Sequence, residues 1–237
     1  MADIPFFYCP VIDTGGTPFE LDEQTARHCT QVLRMKTGEP LHLTNGKGLL
    51  ATAIIHHIAK KTCSISVTGS EQQSAPAQQK IIAISLLKNT GRFEWFLEKA
   101  AELGITEIIP LLCRRTEKQQ FRFDRMQQIL VSAMLQSKQT HLVILHQPVT
   151  FSNVMAMHSS AQRYIAHCYT DERKINFAAA AGTQKEKDQM IFIGPEGDFT
   201  EEEIEIATAR QIIAVSLGNT RLRTETAGIK AAVILSI

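Results

Sequence analysis

The sequence predicts an α/β protein in which a small β-rich domain precedes a larger parallel-sheet domain. Three observations predict it. Up to about Ser70 the chain carries short runs of β-branched residues separated by turn residues. From Ile81 onward, continuous apolar runs of the kind found in buried parallel strands alternate with segments of helical period. Near the C-terminus, two glycine-bearing strings each follow a short apolar run and precede a helical pattern. Turns of that kind lie at the carboxyl ends of parallel strands, where ligands bind.

The elements follow in order. Asp22 can cap a helix whose Ala26, Cys29, Val32 and Leu33 share a face, with Gly38 ending it. Residues 41–44 form a short strand pattern, Asn45-Gly46 is a turn dipeptide, and 49–58 and 63–67 are strands joined by a polar turn at Lys60-Lys61. Residues 71–79 lack an apolar period and contain Pro76, which predicts a linker. After it, 81–87 is a buried strand. Residues 93–103 are a helix with Phe93, Phe96, Leu97, Ala100 and Ala101 on one side, stopped by Gly104. A strand at 105–112 and a helix at 124–138 come next, then strands at 142–145, 164–167, 190–193 and 212–217. The final segment, 227–237, is so apolar and alanine-rich that it should be buried on most of its circumference.

Apolar residues make up 44% of the chain and charged residues 21%, which describes a globular protein and not a disordered one. The formal net charge of +1 does not select a partner. Its distribution is more specific: residues 110–140 hold six basic side chains (Arg114, Arg115, Lys118, Arg122, Arg125, Lys138) against Glu117 and Asp124. That is a phosphate-facing patch or a solvated helix face. The five cysteines are odd in number, widely spread and without a Cys-x-x-Cys pair, so they read as reduced thiols of a cytosolic protein with no zinc site. His56 and His57 are adjacent and point to opposite faces of a strand, which disfavours a shared metal. No basic region precedes an apolar stretch at the N-terminus, so no signal peptide is expected, and no uncharged apolar run reaches the ~18 residues of a membrane span.

The string Gly46-Lys47-Gly48-Leu49-Leu50-Ala51 matches a dinucleotide-binding pattern, but it sits between two strands and opens no helix, so it reads as a hairpin turn. The C-terminal strings are better placed. In Gly194-Pro195-Glu196-Gly197-Asp198-Phe199 the glycines allow close approach of the backbone to a ligand, and Thr200 with Glu203 makes a capping box that starts a helix at about Glu201. It is a binding loop or a tight turn. In Leu217-Gly218-Asn219-Thr220-Arg221-Leu222-Arg223-Thr224-Glu225 three charges lie at the mouth of an apolar helix, whose start Thr224 or Thr226 can serve. They are either a site or a structural Arg–Glu pair.

Ile-Gly-Pro-Glu-Gly followed by Leu-Gly-x-x-x-Leu-Arg-Thr-Glu-Thr-Ala resembles the RsmE family, the 16S rRNA (uracil-N3)-methyltransferases of the SPOUT superfamily. The resemblance extends to His28 through Met35, to Lys99 through Gly104, to Ile109-Pro110 and to Gln136-Ser137. This chain departs from it at Asp198, where a second glycine is common, at Thr220 and Arg221, at Leu135, and along residues 114–118. The resemblance implies a PUA-like β-barrel RNA-binding domain at 1–72 and an α/β domain at 73–237 with a trefoil knot, unlike most folds. It implies a homodimer binding S-adenosylmethionine and acting on 16S rRNA of the small subunit or its assembly intermediate. Carried over by position, cofactor contacts fall on a loop near Cys168 to Asp171, on Gly194, Pro195, Glu196 and Gly197, and on Leu217, Gly218, Asn219 and Leu222.

Uracil N3 must lose a weakly acidic proton before it is methylated, and charge then spreads to the ring carbonyl oxygens. Arg223 is expected to stabilise that charge, with Glu225 or Glu196 orienting it or taking the proton. Phosphate contacts are expected from Arg27 and Arg34 in the β-rich domain and from Arg114, Arg115, Arg122 and Arg125. Two alternatives stay open. Another SPOUT reaction, on a ribose 2′-oxygen or a different base atom, would be separated by the mass and retention of the modified nucleoside. A non-catalytic RNA-binding module would be expected to have degraded cofactor loops.

Overall fold

A computed structural model describes residues 4–59, 61–117, 120–170, 174–184 and 186–237. The chain divides into two compact units. The first comprises Met1–Ala75 with Met134–Leu142, and the second Pro76–Ala133 with Val143–Ile237.

The first unit is a five-stranded sheet in the order β1-β3-β4-β5-β2. Its strands are β1 (Phe6–Tyr8), β2 (Phe19–Glu20), β3 (Pro40–Thr44), β4 (Leu49–Ile58) and β5 (Cys63–Gln72). Strand period two sends Leu41 and Leu43, Ala51, Ala53 and Ile55, and Cys63, Ile65 and Val67 into one core with Phe7 and Leu21. The turn between β3 and β4 is a hairpin connection with Gly46 at φ +72° and Gly48 at φ +92°. A Cβ on Gly48 would stand 2.5 Å from the carbonyl oxygen of Gln73, so this glycine serves packing and not a cofactor. Residues 71 and 72, expected in a linker, extend β5: Leu49 and Leu50 pair with Gln72 and Glu71, and a backbone ladder is indifferent to side-chain polarity. His56 and His57 are both exposed because the β4–β5 ladder shifts register between Ile55 and His57.

Helix α1 (Glu23–Arg27) begins where expected, with Asp22 Oδ1 accepting from the backbone N–H of Gln24 and Thr25. Such a cap contributes about 1 kcal/mol. The chain then continues as a π-helical turn, His28–Val32. The wider turn re-phases the face, so Ala26 and Cys29 are buried while Val32 is 68% exposed. The stop is Arg34, in the left-handed region at φ +54°, and not Gly38.

The second unit is built on an eight-stranded sheet ordered β11-β13-β10-β12-β6-β7-β8, with β9 also on β7, and every pairing in it is parallel. The strands are β6 (Lys80–Ser85), β7 (Glu107–Leu112), β8 (Ile144–Leu145), β9 (Val149–Thr150), β10 (Gln162–Ala166), β11 (Ile175–Asn176), β12 (Gln189–Ile193) and β13 (Ile213–Ser216). β6 and β12 at the centre are almost wholly buried, which explains their unbroken apolar runs. β7 pairs with β8 through Glu107 and Ile108 and with β9 through Leu111 and Leu112; Pro110 falls at the gap between them, where its missing N–H costs nothing. Buried Glu107 accepts from Nε2 of His146 at 2.6 Å and of His158 at 2.7 Å, tying two later loops to the start of β7.

Helices α2 (Thr90–Glu102), α3 (Phe123–Gln136), α4 (Phe151–Val154), α5 (Phe177–Gly182), α6 (Glu201–Ala209) and α7 (Thr224–Ser236) connect or flank these strands. α3 stops before Lys138, which turns left-handed at φ +57°. α7 buries Gly228, Ala231, Ala232 and Leu235 on one side and leaves Val233 and Ile237 outside, so less of it is covered than its composition suggests. Its N-cap is Arg223, with no side-chain cap from Thr224 or Thr226. Among the described residues no helix is long and apolar enough to cross a membrane.

Candidate functional site

β10, β12 and β13 are adjacent and parallel, so their carboxyl ends open on the same edge of the sheet. The loops that leave them meet around one cavity of about 750 Å³. Ala166, His167 and Cys168 come from the first loop, Ile193 to Glu196 and Asp198 from the second, and Val215 to Thr224 from the third. Of the residues expected to bind a cofactor, Cys168, Gly194, Pro195, Glu196, Leu217, Gly218, Asn219 and Leu222 all line it. Gly197 does not; it lies against the stem of Arg115, whose Cδ would be 3.3 Å from an added Cβ. Asp171, at the end of the expected first loop, lies outside the described residues, as do Lys60 of the expected turn and Lys118 of the basic run.

The backbone explains the glycines. Gly218 has φ +126°, closed to ordinary side chains, and a Cβ there would meet Nζ of Lys230 at 2.9 Å. Gly194 turns over the Phe199 ring, 3.1 Å from the position of a Cβ. The second loop is closed below by the capping box: Thr200 accepts from Glu203 N–H, and Glu203 accepts from Thr200 N–H. The buried Glu203 also accepts from the backbone N–H of Arg114 at 2.8 Å.

Two side chains that sequence reasoning did not place in the site hold its walls together. Asp198 takes the left-handed conformation at φ +64°, which Asp tolerates better than most residues. Its carboxylate accepts from Phe199 N–H at 2.8 Å and from Cys168 N–H at 2.7 Å, joining the loops after β10 and β12. The departure from a second glycine thus supplies a cross-link, and the signal for it was an Asp at a turn position. Arg115 acts in parallel: its Nη1 donates to the carbonyl of Gly197 at 2.7 Å, that of Phe199 at 3.2 Å and the Tyr169 hydroxyl at 3.1 Å. Within the loop after β10, Lys174 donates to the carbonyls of His167 and Tyr169. Partial desolvation, with Asp198 beside it, pushes the Cys168 thiol up.

The expected catalytic residues separate. Arg223 lines the cavity. Glu196 lines it too, and its Oε1 accepts from the backbone N–H of Lys88 at 3.2 Å. Glu225 does not: it is buried in the first turn of α7, 3.6 Å from Nε of Arg92. No local pattern could have announced Arg92, which comes from α2 at the far end of the sequence unit. The expected phosphate contacts also divide. Arg34, Arg114 and Arg122 are exposed. Arg27 pairs with Glu23 at 2.8 Å, Arg125 makes a two-pronged pair with Glu94, and Arg115 is folded onto the cavity wall. Among the described residues no cluster of three or more His, Cys, Asp or Glu could hold a metal.

A parallel sheet with glycine turns closing a cavity over three neighbouring strand ends defines a protein that binds a nucleotide-like cofactor. The chain belongs to the RNA methyltransferase family: the RNA methyltransferase domain profile matches residues 74–236, and the RNA methyltransferase PUA domain profile matches 21–68. The resemblance to the RsmE family read from the motifs agrees with this. A probable rRNA-methyltransferase from Porphyromonas gingivalis is 36% identical, with a TM-score of 0.85 over 97% of this chain and 95% of that one. A ribosomal RNA small subunit methyltransferase E from Neisseria gonorrhoeae, solved bound to S-adenosyl methionine, is 27% identical, with a TM-score of 0.84 over 97% and 95%. The protein of the same name from Rickettsia conorii is 27% identical over 84% of this chain and 81% of its own.

Proposed function

We propose that the chain uses S-adenosylmethionine to methylate N3 of a specific uridine in the 16S rRNA of the small ribosomal subunit. The observation that carries this reading is the meeting of three loops on one cavity in a chain whose relatives are named as methyltransferases of small-subunit ribosomal RNA. The cavity fits the cofactor. Its volume of about 750 Å³ lies within the range of small-molecule sites. Its lining mixes apolar side chains (Ile193, Val215, Leu217, Leu222) with polar ones such as Ser216, Asn219 and Thr220, which suits an adenosine moiety. Cys168, Gly194, Pro195, Leu217, Gly218, Asn219 and Leu222 would hold it, with Gly197 supporting the wall. Bound there, S-adenosylmethionine supplies an electrophilic methyl group.

The chain's own residues do the rest. Arg223, at the cavity mouth, stabilises the negative charge that develops on the uracil carbonyl oxygens. Glu196 accepts the N3 proton, since it lines the cavity and Glu225 does not. Glu225 positions Arg92. Arg27, Arg34, Arg114 and Arg122 contact RNA phosphates, while Arg115 and Arg125 serve chiefly within the fold. The same proposal includes a PUA-like RNA-binding role for residues 1–72, the trefoil threading of the sheet domain at 73–237, and a cytoplasmic location, supported by five free thiols. It also includes a homodimer joined over the outer face of α7, where Val233 and Ile237 are exposed.

Transfer of labelled methyl to unmodified small subunits, followed by nucleoside analysis, tests the reading: label should appear in N3-methyluridine. Label in another nucleoside would keep the cofactor site and remove the specificity. Arg223→Ala should slow transfer by roughly a hundredfold or more while cofactor binding persists, the scale of losing one charge-stabilising donor. A loss under tenfold would take Arg223 out of the chemistry.

A further inference from the structure

Beside the cofactor cavity lies a second, open groove, bordered by Lys88, Asn89, Arg92, Glu117 and Glu196. Glu196 belongs to both, so the two hollows share a wall. We infer that this groove receives the sugar–phosphate backbone of the acceptor RNA strand next to the methylated nucleotide, with Lys88 and Arg92 as its phosphate contacts. The inference rests on the proposed methyltransferase function and adds to it the path of the substrate strand.

The charges support it. The Lys88 side chain is 74% exposed and, among the described residues, its ion pair is with Glu117, itself exposed, at 2.9 Å. Surface pairs of that kind exchange partners at little cost, so a phosphate can replace Glu117. Arg92 is different. Its side chain is 41% exposed, and its Nε stands 3.6 Å from the carboxylate of the buried Glu225, near enough to be held by charge. Among the described residues it makes no side-chain hydrogen bond, so its fork of donors stays open to a bidentate acceptor such as a phosphodiester. Glu225 is fixed in α7 and fixes Arg92 in turn; the sequence shows the acid but gives no sign of its partner. Glu196, on the shared wall, meets the base and not the backbone, because its acceptor oxygens suit the N3–H of uracil and repel phosphate. A strand laid along Lys88 and Arg92 would therefore present a base across Glu196 towards the cavity.

The test is filter binding of unmodified 16S rRNA over a range of KCl concentrations, with Lys88→Ala/Arg92→Ala against wild type, beside calorimetry of S-adenosylmethionine binding. Each lost phosphate contact should flatten the log–log salt dependence by roughly 0.7 to 0.9, so the double variant should lose roughly 1.4 to 1.8. Its RNA affinity at low salt should fall at least tenfold, and its cofactor affinity should stay within twofold of wild type. Lys88→Ala alone, at a side chain too exposed to affect folding, should lose roughly one contact's worth of slope. Unchanged slopes in both variants would overturn the inference. The slope is read without turnover, so a wild-type protein that binds the RNA but methylates nothing would overturn the proposed function separately.

Discussion

Arg115 uses one guanidinium nitrogen on three acceptors, two in the loop after β12 and one in the loop after β10. Its stem fills the space beside Gly197 that any larger residue would need. One side chain therefore sets the spacing of two cavity walls, in parallel with the Asp198 carboxylate. Arg115→Ala should weaken S-adenosylmethionine binding by roughly ten- to a hundredfold, the scale on which losing an orienting partner disturbs a site. The unfolding midpoint should barely move, because the side chain is exposed. Calorimetry checks it; unchanged cofactor affinity with weakened RNA binding would return Arg115 to the phosphate contacts. At this scale the sequence was legible where backbone freedom leaves a mark, as at Gly194 and Gly218. It was silent where a side chain's partner is distant in the chain, as for Arg92 with Glu225.

Among the elements, α7 is seated by a close approach. A Cβ on Gly228 would stand 2.7 Å from the Phe96 ring of α2 and 2.9 Å from Ile84 of β6, and both neighbours are fully buried. Alanine at 228 would gain about 1 kcal/mol of helix propensity but force those side chains apart, and overpacking of this kind costs ~1–3 kcal/mol. The clash should win: Gly228→Ala should unfold at lower denaturant, read by circular dichroism, and Gly228→Val lower still. α2 and α3 are joined by the Glu94–Arg125 pair, and the hydrogen bond from Arg125 holds the Glu94 carboxyl below its ordinary value. A depressed carboxyl contributes stability that is present above the ordinary range and lost as pH falls through its folded value. Glu94→Gln should therefore lower the midpoint at pH 7 and make progressively less difference as pH falls below the ordinary carboxylate range; an effect that does not shrink with falling pH would exclude the ion pair as the cause. Helix starts were readable from chemistry within a turn, as at Asp22 and Thr200. Short strands such as β2, β9 and β11, two residues each, were not, because only a neighbouring strand makes them strands.

For the molecule as a whole, RNA affinity and cofactor affinity should be separable. Arg27→Ala/Arg34→Ala, in the unit built on β1–β5, should weaken 16S rRNA binding with a flatter salt dependence and leave S-adenosylmethionine binding unchanged. A fall in both would show that the two activities are not divided between the units. The sequence by itself determined the class of both halves, since an alternating pattern and a continuous apolar pattern are each readable over a few residues. It also determined where the loops that meet at the cavity lie, because glycine turns and a capping box are local signals. Only the tertiary structure decided which charges face the cavity. Arg223 and Glu196 line it, Glu225 turns away to Arg92, and Arg115 becomes a brace. The physical reason is that hydrogen bonds and ion pairs between distant segments depend on strand order, and strand order leaves no periodic trace in the chain.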